Sequence, residues 1–371
     1  GNASLPSSGS GGSGSGGGEV QGDDEEMMSD AQLQSVLSAP LLATMHATTT
    51  GDDATTASAC FCAWAAALEL HSRYEPAAQR KIATHWKHDL LKQQSSLDAL
   101  LHLLLEVLPL TASATTTTAS SPQGASAAAA KEAVAIEALK HRSVSALCAA
   151  SVATGGAPRE PTDAEFAVCL YLQLVRRLPS IVREWWTHGL NQRGVRKELE
   201  KFTQVHYSPI VVKEEMDAIS QNIPSDDDSF KVRGSAATRQ VAATYACEGS
   251  ALQIMLQLPA CYPLLSVEVD CVHRIGIAEA KWQKWKRQMS TMLLSQNGTI
   301  SDALLKWKEN VDAVFEGVEE CPICYMIVHA STGHLPKQEC KTCHNKFHAA
   351  CLYKWFSQAQ KSNCPLCQTA F

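Results

Sequence analysis

The chain has 371 residues, which is long for one small domain and suits two or three domains. Hydrophobic residues make up 45% of the chain, which excludes a protein that is disordered throughout, because such proteins lack the apolar residues of a core. The formal net charge of -6 argues against a general nucleic-acid binder but leaves room for a local basic patch.

The first segment, residues 1–28, is rich in Gly and Ser and contains the acidic run DDEE. A composition of this kind predicts disorder. The segment has no apolar stretch of the kind that a secretory signal needs. Because the sequence begins with Gly1 rather than Met, we expect it to be part of a longer chain.

Residues 29–205 show helical periodicity, broken by two polar stretches, TASATTTTASSPQGASA (111–127) and GGAPREPTD (155–163). Both stretches are typical of loops or insertions, and the first belongs to a low-complexity insertion near 111–130. Helical hairpins separated by polar loops predict an α-solenoid of HEAT-like helices.

The most apolar run of this region is LDALLHLLLEVLPL, at 97–110. It is too short to cross a bilayer, which needs about 20 apolar residues. Asp98, His102 and Glu106 recur every fourth residue, which is typical of an amphipathic helix. We therefore expect no membrane span and no membrane partner.

The pattern changes at 206–316. A helix near 208–220 is followed by strict alternation of apolar and polar residues, which predicts a β-hairpin over 240–258. A third strand is expected to bury Leu265, Val267 and Val269 on one side. Two amphipathic helices follow, separated at Gln296-Asn297-Gly298. Their apolar faces are Trp282, Trp285, Met289, Met292 and Leu293 for the first, and Ile300, Leu304, Trp307, Val311 and Phe315 for the second. A sheet followed by helices indicates an α+β domain.

Helical spacing favours core packing for these tryptophans over an aromatic ligand platform. Basic residues cluster near the start of the first of these helices, and the sequence from Ala280 to Ser301 contains no acidic residue. The cluster is Lys281, Lys284, Lys286 and Arg287. It is either a solvated helix face or a patch that contacts the phosphates of a nucleic acid.

Seven of the fourteen cysteines are scattered through apolar sequence, where buried free thiols are the usual outcome. The other seven lie within 321–367 and follow the pattern Cys-x2-Cys-x15-Cys-x2-Cys-x4-His-x2-Cys-x12-Cys-x2-Cys. Such pairs without a secretory context favour metal over disulfides. Zinc takes four ligands in a structural site, so eight ligands predict two closed zinc sites. The ligands are Cys321, Cys324, Cys340, Cys343, His348, Cys351, Cys364 and Cys367.

Three histidines lie near these cysteines. His348 forms a His-x2-Cys turn with Cys351 that can replace a Cys-x2-Cys turn, so we assign it as the ligand. His344 directly follows Cys343 and would be strained as a ligand of the same ion, and His334 lies in the long loop. A segment of about 50 residues buries too little apolar surface to fold alone, and zinc can add roughly 10 kcal/mol to its folding.

Two families share this order of ligands: the PHD finger, which reads histone tails, and the RING finger, which recruits ubiquitin-conjugating enzymes. A PHD finger places a tryptophan where this sequence has Ser362. A RING finger places an apolar residue, a tryptophan and a proline where this sequence has Ile323, Trp355 and Pro365. The segment 317–371 therefore resembles the variant RING class.

This resemblance implies how the ligands are paired and what else the unit binds. Alternate turns would share an ion: the first group is Cys321, Cys324, His348 and Cys351, and the second is Cys340, Cys343, Cys364 and Cys367. Ile323, Trp355 and Pro365 would form an exposed apolar surface that binds the conjugating enzyme. Many RING ligases carry a basic residue after the last ligand, where it bridges enzyme and ubiquitin. This sequence departs from that pattern with Gln368.

A longer resemblance covers the second half of the chain. The runs YLQLVRRLPSIVREWW, KFTQVHYSPIVVKEE, SQNGTISDALLKWKENVDAVFEGVEECPICY and CKTCHNKFHAACLYKWF resemble the C-terminal part of the listerin family of ubiquitin ligases. The resemblance implies a multidomain protein: an α-solenoid, an RWD domain over 206–316 and a RING finger. The RWD signature Tyr262-Pro263 is present, whereas the later proline of that signature is replaced near Val267.

The family resemblance also implies a function. It predicts a cytoplasmic, ribosome-associated ligase that transfers ubiquitin from a conjugating enzyme to chains stalled on the large ribosomal subunit. Such a ligase forms no covalent intermediate, so no catalytic residue is expected. Lys281, Lys284 and Arg287 are the candidate ribosome contact, through ribosomal RNA, if their cluster is more than a solvated face. Two alternatives remain open, a PHD-like reader and a zinc scaffold without ligase activity.

Overall fold

The computed structural model describes residues 57–74, 76–91, 96–110, 122–153, 160–224, 227–247 and 250–371. The predicted disordered segment 1–28 lies outside the described residues. None of the helices in the described ranges combines the length and the apolar character that crossing a membrane requires.

The first region is helical, as its periodicity predicts. Its helices are α1 (Ala57–His71), α2 (Pro76–Leu91), α3 (Ser96–Val107), α4 (Pro122–His141), α5 (Val144–Ala153), α6 (Asp163–Arg177), α7 (Pro179–Glu184) and α8 (Arg193–Phe202). The prediction of a loop through residue 127 is wrong for residues 122–127, because α4 begins at Pro122. Proline is tolerated in a first helical turn, and the alanines that follow have the highest helix propensity.

Helix α6 is the centre of this region. It is buried on all sides from Phe166 to Val175 and packs against α1, α3, α4 and α5. Apart from Gln173, this run has the apolar and aromatic side chains that are expected of a helix buried on all sides. Its start is fixed by a capping box, in which Thr162 and Glu165 each accept the backbone N–H of the other.

The helical region continues into the next domain without a break. A π-helical turn at Thr203–Tyr207 joins α8 to α9 (Ser208–Asn222), so the predicted boundary at residue 206 falls inside a continuous helix. The Tyr171 hydroxyl lies 3.0 Å from the Thr203 hydroxyl inside the core. This contact anchors the π turn to α6.

Four antiparallel strands follow in the order β1 (Phe230–Ser235), β2 (Gln240–Cys247), β3 (Ser250–Gln257) and β4 (Glu268–His273). The predicted hairpin is confirmed as β2 and β3, which pair Tyr245 with Leu252. The apolar side of β3 is buried as predicted, at Leu252, Ile254 and Leu256, and so is Leu258, which directly follows the strand. The prediction that Leu265 is buried on the third predicted strand is wrong, because Leu265 precedes β4 and is 41% exposed.

Two helices cover the sheet, α10 (Glu279–Ser295) and α11 (Ile300–Phe315). Their tryptophans Trp282, Trp285 and Trp307 are buried in the core, as the helical spacing predicts. Asn297 ends α10 in the left-handed conformation, with φ of 53°, and the amide of Gly298 donates to the Met292 carbonyl at 3.0 Å. Helix α10 therefore stops at the predicted Gln-Asn-Gly sequence.

The solenoid and the α+β domain are joined by polar contacts. The guanidinium of Arg183 on α7 donates to the carbonyl of Pro263 at 2.8 and 3.1 Å and to that of Leu294 at 2.5 Å. The side chain of Asn297 accepts the amide of Ser180 at 2.8 Å, at the start of α7. These bonds satisfy backbone groups that the turns would otherwise leave unpaired.

The last region is small. It contains two short strands, β5 (Gln338–Glu339) and β6 (Lys346–Phe347), and helix α12 (Ala349–Ala359). Phe347 and Leu352 are buried in its core, together with Cys321, Cys340 and Cys364. A core of so few apolar side chains is smaller than a unit of this size usually needs in order to fold without a metal or disulfides.

Candidate metal centre and its apolar rim

The first group of ligands is formed by Cys321, Cys324, His348 and Cys351, whose ligand atoms all lie within 4.8 Å of one another. His348 Nδ1 is 3.4 Å from the Cys324 sulfur and 3.8 Å from the Cys351 sulfur. Tetrahedral zinc bonds of about 2.0–2.1 Å to nitrogen and 2.3 Å to sulfur require a separation near 3.6 Å. The geometry of this group therefore fits one zinc ion.

The second group is formed by Cys340, Cys343, Cys364 and Cys367. Two of its sulfur pairs are separated by 3.6 Å (Cys340 and Cys367) and 3.7 Å (Cys343 and Cys364). The edge of a tetrahedron of sulfurs around zinc is about 3.8 Å, far longer than the roughly 2.05 Å of a disulfide. The structure thus brings the eight predicted residues together in the two alternating groups that the RING resemblance implies.

The three Cys-x2-Cys turns share one backbone geometry. In each turn, the residue after the second cysteine donates its amide to the carbonyl of the first cysteine, at 2.8–3.0 Å. These residues are Tyr325, His344 and Gln368, with φ of 55°, 57° and 59°. The shared turn explains how sequence-local pairs present two sulfurs to the same ion.

The structure shows which of His344 and His348 can be a metal ligand. His344 occupies the left-handed position of its turn, and its exposed ring lies 2.9 Å from the Glu339 carboxylate, away from the cysteine sulfurs. His348 is fully buried, and its Nε2 donates to the Ile327 carbonyl at 3.0 Å, which leaves Nδ1 free to face the cysteines. A hydrogen bond on the second ring nitrogen is the usual way to orient a ligand histidine.

The electrostatics of the sulfurs differ within the unit. The backbone N–H groups of Cys343 and Thr342 lower the pKa of the Cys340 thiol to about 6. Burial raises the pKa of Cys351 to about 12. A dication removes this difference, because it holds all of its sulfur ligands as thiolates. The donor set therefore fits zinc by its chemistry as well as by its distances.

Ile323 and Pro365 lie within two of the ligand turns and Trp355 follows Cys351 on α12; we call these three residues the apolar rim. Trp355 on α12 is 38% exposed, and its Nε1 donates to the Asn363 carbonyl at 3.1 Å, next to the segment that carries Pro365. Ile323 and Pro365 are half-buried. The sequence analysis missed three exposed apolar side chains, Tyr325, Tyr353 and Leu366. Leu366 could have been found, because it lies between the last two ligands as Ile323 lies between the first two.

Gln368 is exposed beside this rim. Its amide donates to Cys364 at 3.0 Å, and its carbonyl accepts from the Asn363 side chain at 3.0 Å. The backbone at this position is therefore fixed, while the side chain carries no charge.

The predicted basic patch lies on α10. Lys281, Lys284 and Arg287 are exposed, and the ammonium of Lys281 lies 5.7 Å from the centre of the Trp285 ring. Lys286 differs, because it pairs with Asp270 at 3.5 Å. Among the described side chains, no carboxylate forms an ion pair with the three exposed residues. Their charges are therefore directed towards solvent.

Comparison with known proteins matches the order of these regions. The family described as "LTN1 family HEAT repeat region" matches residues 18–220, more than half of the chain. The chain belongs to the LTN1 family. A second family, described as "Ubiquitin conjugating domain-like", matches residues 230–314, which span the sheet and most of its two helices. The RWD assignment of this LTN1-family chain agrees with that match.

Curated relatives of this LTN1-family chain carry the name E3 ubiquitin-protein ligase listerin. Those of Xenopus tropicalis and Mus musculus are each 40% identical over 205 residues, 55% of this chain. That of Saccharomyces cerevisiae is 38% identical over 200 residues, 53% of this chain. The matched segment spans 12%, 11% and 13% of these relatives, so the chain corresponds to a small part of their length.

Proposed function

We propose that this chain is the ubiquitin-transferring end of a listerin-type ligase. Its zinc unit binds a ubiquitin-charged conjugating enzyme through Ile323, Trp355 and Pro365. The observation that carries the proposal is the partly exposed indole of Trp355, which is held at the rim of two four-ligand groups. An exposed aromatic anchor on a rigid support is typical of a protein-binding surface.

The proposed mechanism is positioning. Two zinc ions, each with four protein ligands, would hold the fold and leave no open coordination position for chemistry. The chain would then hold the thioester between ubiquitin and its conjugating enzyme in a reactive geometry, without a covalent intermediate of its own.

Two thiols of the α+β domain, Cys261 and Cys271, are poor candidates for forming a thioester with ubiquitin. Burial raises the pKa of both thiols. The thiolate is the nucleophilic form of cysteine, so a raised pKa does not suit a thioester-forming residue. We therefore infer that neither of these two thiols carries ubiquitin, although the domain matches a ubiquitin conjugating domain-like family.

The proposed substrate is a lysine of a nascent chain stalled on the large ribosomal subunit, in the cytoplasm. The names of the relatives support the ligase part of the proposal. The basic patch on α10 supports a ribosomal contact, because free surface cations are what binds RNA phosphates. In this arrangement the RWD domain docks on the subunit and the zinc unit faces the emerging chain.

The ligase proposal is tested by incubating the chain with ubiquitin, activating enzyme and a panel of conjugating enzymes. Ubiquitin transfer with at least one of them is the expected result. A scaffold would bind without transfer by any member of the panel. A histone-tail reader would instead bind histone peptides, which this chain is expected not to do.

Charge reversal tests the ribosomal contact. Replacing Lys281, Lys284 and Arg287 with Glu is expected to reduce co-sedimentation with large ribosomal subunits, because the variant repels RNA phosphates. The slope of log affinity against log salt is expected to flatten by roughly 0.7–0.9 for each phosphate that the variant no longer neutralises. Helix α8 offers a matched control stripe, since Arg193, Lys197 and Lys201 are also exposed. Unchanged sedimentation of the α10 variant would show that these residues are a solvated helix face and do not contact the ribosome.

The position after the last ligand offers a gain-of-function test. Gln368→Arg is expected to raise the ubiquitin transfer rate about fivefold, because a charged hydrogen bond contributes about 1 kcal/mol more than a neutral one. Gln360→Arg is the matched control, since Gln360 is also exposed and left-handed, with φ of 51° against 59° for Gln368. If both variants transfer ubiquitin at the wild-type rate, residue 368 does not bridge the conjugating enzyme and ubiquitin. The ligase proposal is unaffected by that result.

A further inference from the structure

The zinc unit is attached to the α+β domain at two separate places. The first is the linker 316–320 between the end of α11 at Phe315 and the first ligand at Cys321. Gly317 in this linker has φ of 68°, and no atom lies within 4 Å of where a side chain would begin. An open linker of this kind restrains the orientation of the unit only weakly.

The second attachment is a contact between two loops that are distant in sequence. The amide of Gly276 donates to the carbonyl of Gly333 at 2.6 Å. A methyl group at Gly276 would lie 3.4 Å from the Leu335 side chain and 3.7 Å from that of Phe315, and one at Gly333 would lie 3.6 Å from that of Ile275. Both glycines have positive φ, 75° and 64°, which allows their backbones to approach closely.

On the zinc side, the contacting loop is closed on itself. His329 and His334 are joined by an amide-to-carbonyl bond of 3.0 Å, and the Gly333 amide donates to the His329 carbonyl at 2.8 Å. The His329 ring accepts from the amide and hydroxyl of Thr332, and its centre lies 5.2 Å from that of His348. The loop is therefore continuous with the first metal group.

On the other side, the contacting segment is held by the α+β core. Ile277 is buried in that core, and Arg274 forms an ion pair with Glu279 at the start of α10. Leu335 is 8% exposed, so the zinc side of the contact is packed as well as hydrogen-bonded. Each side of the contact is thus tied to its own domain, by the loop bonds on the zinc side and by Ile277 and the Arg274 ion pair on the other.

We propose that this junction, defined as Ile275, Gly276, Gly333 and Leu335, fixes the orientation of the zinc unit on the α+β domain. The inference rests on the proposed function for its consequence: a charged conjugating enzyme bound at the rim is held at one angle to the rest of the chain. Only acceptor lysines at a matching position then reach the thioester. Leu335 and Ile275 are positioning residues in this proposal, because they join the two domains and are not part of the rim.

The orientation is measured directly by single-molecule fluorescence transfer between dyes on noncanonical residues at Ala237 and Lys361, which are both exposed. Wild type is expected to give one narrow distribution of distances. Leu335→Ala and Ile275→Ala, which remove the contact from opposite sides, are each expected to broaden it. Lys337→Ala, an exposed change in the same segment, and the conservative Leu335→Met are expected to keep the wild-type distribution.

The functional readout separates orientation from recruitment. With each junction variant, discharge of the ubiquitin thioester to free lysine is expected to stay within about twofold of wild type, because the rim and the metal groups are intact. The set of lysines modified on the chain itself, mapped by mass spectrometry, is expected to spread. Each variant should retain two zinc ions.

A broad distribution for wild type, or a narrow one for both junction variants, would overturn the junction proposal. Unchanged sites of modification in both broadened variants would overturn its role in choosing lysines. A narrow wild-type distribution together with no ubiquitin transfer would support the junction and remove the proposed function, so the two failures are distinguishable.

Discussion

Trp355→Ala is expected to abolish most ubiquitin transfer while both zinc ions remain bound. Truncating an aromatic anchor at the centre of an interface commonly costs about 2 kcal/mol or more. That cost corresponds to a loss of about 30-fold in the transfer rate at subsaturating conjugating enzyme. The measurement is discharge of the ubiquitin thioester, together with zinc content and the circular dichroism spectrum.

The structure explains why the fold is expected to tolerate this change. Phe347 and Leu352 form the buried core of the zinc unit, whereas Trp355 lies at its surface with one bond to the Asn363 carbonyl. Asn363 is exposed, so water replaces the missing donor without leaving a buried group unpaired. The cost of the substitution should therefore appear in binding rather than in folding.

Two further variants make the Trp355 result specific. Trp355→Phe keeps an aromatic ring but removes the Nε1 bond to Asn363, so it is expected to retain more transfer than Trp355→Ala. Lys354→Ala, on an exposed neighbour in the same helix, is expected to transfer ubiquitin as wild type does. If Trp355→Ala loses zinc together with activity, Trp355 belongs to the core and the docking surface must be sought elsewhere.

The features that could be predicted from the sequence are those with a local signature. Each Cys-x2-Cys pair is complete within a few residues, so its spacing alone indicates a ligand turn. The alternation in β3 is equally local, and it correctly predicts the burial of Leu252, Ile254 and Leu256. The apolar faces of α10 and α11 follow from the same logic at helical period.

Other features had no such signature. Strand β1 carries the polar residues Lys231 and Arg233 on an exposed side, and it is a strand because it pairs with β2. Leu265 looked like the start of β4 because it continues an apolar alternation, but it precedes the strand that begins at Glu268. The contact between Gly276 and Gly333 joins two glycines that each indicate only a turn when read alone. In the first and third cases a contact with another segment decides the structure, and a local sequence pattern does not record such contacts.

The purified chain is expected to contain two zinc ions, and His348→Ala is expected to lose about one of them. His348 is fully buried with Nδ1 facing two cysteine sulfurs, so its removal leaves the first group with three ligands. His344→Ala is expected to lose none, because its ring is 74% exposed and pairs with Glu339. Zinc per chain is measured by elemental analysis after gel filtration.

Chelation extends the same test from one ligand to the whole unit. Structural zinc contributes roughly 10 kcal/mol or more to the folding of such units. Removing both ions is therefore expected to unfold residues 318–371, seen as rapid amide exchange at Phe347 and Leu352. Helix α6 is expected to keep its slow exchange, because its buried side chains belong to a separate apolar core. One zinc per wild-type chain, or equal zinc loss in the two histidine variants, would contradict the assignment of His348 as the ligand.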